Sequence, residues 1–204
     1  DNDVTFFFFL SANLREVVSG YFVNFQNVKV LSVEEGLHDF DEGLYLYDKL
    51  MNDQVMGEFR IPEAQIKDTL SILITNIYGG LFLDCTIEVT DLKKLLSKCE
   101  NSKNPLFVLT HKNNSDNWFF YAPNDCKSLK EYVDNELKYA INTYDRRQYF
   151  RTPPFELAPM AFYKSFLRDN KDIDPSTFTV FFTILKLFIW ITEPDRIIKH
   201  CTGS

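Results

Sequence analysis

Along the first third of the chain, the spacing of apolar residues switches between the two periods that separate strands from helices. Residues 4–10 form a nearly unbroken apolar run with four phenylalanines. The polar Ser11 and Asn13 end it, and the run predicts a core strand. Leu14, Val17, Val18, Tyr21, Phe22 and Phe25 then share one helical face, with Asn13 placed to cap the helix. Residues 28–33 return to a strand. Strand, helix and strand in succession make a βαβ unit, which builds parallel sheet through a right-handed crossover. Residues 34–58 are acidic and interrupted by Gly36, Gly43 and Gly57. They predict a loop with a short helix near residues 45–50, positioned to cover a ligand site.

The stretch around which the rest is organised runs from Asp68 to Asp91. Leu70, Leu73, Ile74 and Ile77 lie at i, i+3, i+4 and i+7, one face of a helix whose first turn suits Pro62 and which begins around Glu63, Lys67 and Asp68. Gly79 and Gly80 stop that helix, because glycine takes the left-handed conformation that closes a helix end. Leu81, Phe82 and Leu83 predict a short buried strand, and Asp84 ends it. In open α/β sheets, ligands bind beyond the carboxyl ends of strands, which makes Asp84 a site candidate.

Beyond Asp84, Ile87 and Val89 alternate with polar residues as a strand, and residues 91–98 predict a helix. Strands follow at 105–110 and 118–122, separated by an Asn113 to Asp116 turn cluster. Helices are expected at 128–143 and 160–167. The order predicts an α/β fold with a mixed, mostly parallel sheet flanked by helices. It is read as a single domain over 1–204, with a helical C-terminal subregion from about residue 144.

Composition then excludes several classes. A net charge of −7 without a basic stripe argues against nucleic acid as partner. The 4 Cys are widely spaced, which suits reduced, mostly buried thiols rather than a disulfide framework. The apolar run at 178–191 is shorter than the roughly 20 residues of a spanning helix and contains Lys186, so a buried helix or strand is expected. No charged leader with a cleavage site is visible, and a cytoplasmic location, with peripheral association at the membrane face, is the expectation.

The central stretch resembles a known family in spacing as well as residue type. Asp68 precedes Gly79 by eleven residues and Asp84 by sixteen. These intervals match the "SD-x-x-R … Y-GG-x-Y-x-D-x-D" pattern of GT-A glycosyltransferases. That group comprises the DXD sugar-binding-region proteins of the outer-chain mannosyltransferase kind and the related capsular polysaccharide synthesis proteins. Three departures stand out. The family's Arg is Ser71 here, and the second acid of D-x-D is Thr86, which is nearer the D-A-T version of the capsular branch. The aromatic that usually follows the first strand and holds the base is replaced by Leu10-Ser11-Ala12.

The resemblance implies transfer of a hexose-type sugar from a UDP- or GDP-sugar to a glycan, lipid-linked or protein acceptor. Asp84 and Asp68 are the implied catalytic acids. Donor contacts would come from Asp68, Gly79, Gly80, Asp84, Thr86 and Asn117. A divalent Mn²⁺ or Mg²⁺ suits carboxylate oxygens and neutralises a diphosphate leaving group. Its implied ligands are Asp84, with His200 and Ser204 from a C-terminal "H-x-x-x-S-W" element. Arg146, Arg147 and Arg151 form a basic loop that is suited either to phosphate or to solvent. Two rival readings stay open: a catalytically silent GT-A-like binding or scaffolding module, motivated by Ser71 and Thr86, and an α/β interaction domain without a nucleotide site.

Overall fold

The structure is a computed structural model, and it describes residues 4–38, 40–55, 63–84, 87–109, 115–143, 159–180 and 185–187. At the front, β1 (Phe6–Leu10) pairs in parallel with β2 (Val28–Ser32), Phe6 opposite Val28, and α1 (Ala12–Phe22) connects them. The βαβ unit is therefore present, but β1 is not a core strand. Among the described residues β1 and β2 form their own two-stranded sheet, and Phe6, Phe7 and Phe8 remain 39–44% exposed. The rings stack on one another instead, Phe8 on Phe22 at 5.1 Å and Phe7 on Phe9 at 6.0 Å between centroids. Helix α1 buries no residue, and its N-cap position is Ser11, whose side chain makes no capping bond, rather than Asn13.

Residues 33–37 and 41–55 are helical, where a loop with a short helix near residues 45–50 was expected. Ser32 accepts from the Glu35 amide while the Glu35 carboxylate accepts from the Ser32 amide, a reciprocal capping box that starts α2 (Val33–Leu37). Helix α3 (Asp41–Val55) follows, with Leu46 and Leu50 fully buried. Gly36 and Gly43 sit inside these helices because a side chain there would run into the rings of Phe9 and Phe40. Close packing, not a break in the helix, explains both.

Next come α4 (Glu63–Tyr78) and β3 (Gly80–Leu83), as the periodicity predicts. Strand β3 is the end strand of a four-stranded sheet. Its neighbours in order are β6 (Ser115–Ala122), β5 (Leu106–Leu109) and β7 (Thr179–Val180). The β3–β6 and β6–β5 pairs are antiparallel and the β5–β7 pair is parallel. A second antiparallel pair joins β4 (Ile87–Val89) to β8 (Leu185–Leu187). The apolar run near the C-terminus thus supplies strands, and among the described residues no helix is long and apolar enough to cross a membrane.

Alternation along the strands divides the core between two sides of the sheet. Phe107 and Phe120 face α4, the composite helix and α8 (Pro159–Asp169), whose Phe162 and Phe166 complete an aromatic cluster. The composite helix is α6 (Lys127–Tyr132), a π turn at Val133–Leu137 and α7 (Lys138–Thr143). Leu106, Val108 and Phe119 face the other way, onto Leu95 and Cys99 of α5 (Leu92–Glu100). Fully buried Phe and Leu side chains each contribute about 1.5–3 kcal/mol, so this sandwich of sheet between helix layers, not the front unit, carries the stability. Burial also pushes the Cys99 thiol up to about 12, which keeps it protonated and inert.

Candidate functional site

The site is built by a helix that reverses into a strand. Gly79 and Gly80 have φ of +63° and +95°, values that L side chains rarely adopt, and they fold the chain back on itself. A side chain at Gly79 would also lie 2.7 Å from the backbone of Asn124, in the turn that follows β6. From Tyr78 back to Lys67 the helix runs about 16 Å, and from Gly80 to Asp84 the strand runs about 13 Å. The start of α4 therefore lies over the end of β3, which brings residues sixteen and seventeen apart in sequence together.

Three of the expected site residues meet there. The Lys67 ammonium donates to Asp84 Oδ2 at 2.8 Å and lies 3.0 Å from Asp68 Oδ1. The antiparallel ladder continues past Leu83, where the Asp84 amide donates to the Trp118 carbonyl at 2.9 Å, and so Asn117 is next along β6. Asn117 donates its amide to Asp68 and accepts from the Met160 amide at 3.0 Å, tying the first turn of α8 to the cluster. Asn117 is thus a strand residue, with its side chain turned to Asp68.

One ammonium shared between two carboxylates leaves them unequal. Asp84 is the less buried of the two and takes the shorter contact at 2.8 Å, whereas the buried Asp68 Oδ1 has the same ammonium at 3.0 Å. Burial pushes the Asp68 carboxyl above the usual aspartate range; Lys67 opposes that shift and Asp84 reinforces it. Burial pulls Lys67 down, but its bonds to Asp84 and Asp68 outweigh this and hold it above the usual lysine value. The Lys67 ammonium also stands 5.9 Å from the Phe82 ring centroid, a cation–π distance that favours this posture.

The other expected residues are placed less directly. Gly79 and Gly80 lie at the far end of β3 and shape the site by setting the strand's path. Ser71, at the position of the family's Arg, is buried and donates to the Asp68 carbonyl at 2.6 Å, within the helix. Thr86, Arg146, Arg147, Arg151, His200 and Ser204 lie outside the described residues. Lys67 was read only as part of the helix start. What would have revealed it is its place beside Asp68, combined with the reversal at Gly79 and Gly80.

A hard divalent cation suits this donor set in kind, since two carboxylates face one point. Among the described residues no three acids, His or Cys converge as a metal cluster. Asp84 and Asp68 would therefore share such an ion with oxygens from a ligand.

No family model and no curated protein sequence matches the chain. Among solved structures, one named "PaToxG Glycosyltransferase" aligns over 84% of this chain and 60% of its own, with a TM-score of 0.58 and 10% sequence identity. The chain spans about three fifths of that neighbour's length. The fold is accordingly mixed α/β and GT-A-like, the class expected from the order of elements.

Proposed function

We propose that this chain is the donor-binding domain of a glycosyltransferase that takes a hexose-type sugar from a UDP- or GDP-sugar and passes it to a glycan, lipid-linked or protein acceptor. The observation that carries this reading is the convergence of Asp84, at the carboxyl end of β3, with Asp68 and Asn117 on a glycosyltransferase-like fold. Asp84 and Asp68 would hold Mn²⁺ or Mg²⁺, which neutralises the diphosphate as it leaves. Asp68, fixed by Asn117, has a second oxygen suited to sugar hydroxyls, and Thr86 would add a neutral oxygen. The location that goes with this reading is the cytoplasm or the cytoplasmic membrane face.

A thermal-shift screen of UDP-, GDP- and CMP-sugars with and without Mn²⁺ tests it. A ligand that binds only the folded state raises the melting temperature, by about 2.7 kcal/mol of added stability at a hundredfold excess over Kd. The expected result is a metal-dependent shift with one nucleotide, lost in Asp84→Ala. No shift with any nucleotide, for this chain and for one extended beyond Ser204, overturns the reading.

A second reading is a catalytically silent domain of the same fold. It is favoured by the Lys67 ammonium, which already neutralises Asp84, and by buried Ser71 in place of an Arg. Donor hydrolysis that disappears in Asp84→Ala would remove it.

A further inference from the structure

The Lys67 ammonium sits between the two acids on which the proposed donor site depends, and the inference drawn from it rests on that reading. Its side chain is 42% exposed, against 13% for Asp68 and 23% for Asp84, so it reaches the acids from the solvent side. Its flexible four-carbon stem lets the ammonium move by several ångströms without any change in the helix. The acids have holds that do not involve the ammonium, Asp84 through its backbone bond in the β3–β6 ladder and Asp68 through Asn117.

We propose that Lys67 is a resident counter-ion: it balances Asp84 and Asp68 while the site is empty and turns its ammonium onto the diphosphate when a metal-bound sugar nucleotide arrives. The charges require both positions. In the empty site two neighbouring carboxylates repel each other without a cation. In the filled site the two acids and a diphosphate together carry more negative charge than one divalent ion offsets. A mobile ammonium beside the acids supplies the remainder, and as a compact point charge it needs no fixed geometry to do so. Lys67 is thus a charge-balancing residue for the acids and a binding residue for the diphosphate.

Direct binding measurements separate these roles without relying on turnover. Lys67→Met keeps the stem and removes the charge, and Lys67→Arg keeps the charge. Mn²⁺ alone is titrated by calorimetry or by the resonance of the free ion. UDP and GDP are then titrated in saturating Mn²⁺, with a thermal melt to confirm folding. Lys67→Met is expected to bind Mn²⁺ alone about tenfold more tightly than the wild type, because the resident competitor is gone. It is expected to bind the nucleotide with Mn²⁺ about tenfold more weakly, with Lys67→Arg recovering most of that loss.

Unchanged Mn²⁺ affinity in Lys67→Met overturns the counter-ion role, and unchanged nucleotide affinity overturns the transfer to diphosphate. If the wild type binds neither nucleotide, the donor reading falls and the transfer falls with it. Tighter Mn²⁺ binding in Lys67→Met would still support the resident counter-ion.

Discussion

Among the described residues, two clusters in which one cation serves two acids behave oppositely. At the end of β3, Lys67 is shared by Asp84 and Asp68, and the more buried acid is pushed up toward its neutral form. On α8, Arg168 serves Glu136 at 2.6 Å and Asp169 at 2.9 Å, and both acids are held below the usual carboxylate range. The charges are equal, so charge cannot be the cause. Two differences decide it. The guanidinium presents a planar fork that aligns with both partners at once, and Ser165 adds a 2.6 Å bond to Glu136. Asp68, by contrast, is largely buried. The surface cluster is open to solvent, whereas the one at β3 holds a largely buried carboxylate that shares its single cation with a neighbour.

The comparison breaks most completely if β3 is displaced. Gly79→Ala forces a positive φ on a residue with a side chain and drives its Cβ to within 2.7 Å of the Asn124 backbone. It is expected to cost about 3 kcal/mol, measured by denaturant unfolding, and to abolish nucleotide binding while the Arg168 cluster survives. Gly80→Ala meets no atom within 4 Å, so only the positive φ remains, at about 1 kcal/mol. Equal effects at the two positions would show that the Pro123–Asn124 contact is unimportant.

A smaller effect of opposite sign is expected at the acid itself. Asp68→Asn removes a charge that burial disfavours, while Lys67 keeps Asp84 as its partner. Stability at neutral pH should stay level or rise by up to about 1 kcal/mol, with solvent screening at this partly exposed site holding the figure down. Nucleotide binding should weaken at the same time. A clear loss of stability would mean that Asp68 serves the fold rather than the ligand.

How much of this was legible in sequence depended on whether a signal was local. The helix at 63–78, its Gly-Gly stop and the strand ending at Asp84 each carry a short-range mark, and the reversal that joins them follows from those marks. Of the helices at 33–37 and 41–55 only a short piece near 45–50 was expected, because Gly36 and Gly43 look like breaks, although the Ser32 to Glu35 capping box was there to be read. The front aromatics were misread for another reason. An apolar run does not say whether a second layer covers it, and Phe6, Phe7 and Phe8 stay 39–44% exposed even though Phe7 stacks on Tyr78 at the end of α4. Lys67 belongs to neither class, since its partner lies seventeen residues away and only the reversal brings them together.

The smallest effect sharpens the contrast from the surface side. Glu136 is lowered from its ordinary value of 4.5, first by the Arg168 hydrogen bond and then, against the opposing effect of partial burial, by Ser165. A depressed carboxyl adds stability that is fully present above the unfolded value and disappears as pH falls through the folded one. Wild-type melting temperature should therefore decline as pH drops below about 4.5, the ordinary carboxylate range, and part of that decline should vanish in Arg168→Met. Both partners are well exposed, so the difference should be slight and should shrink further in high salt. An Arg168→Met variant whose acid-side profile overlays the wild type would show that the bond holding Glu136 in its charged form adds nothing to the fold.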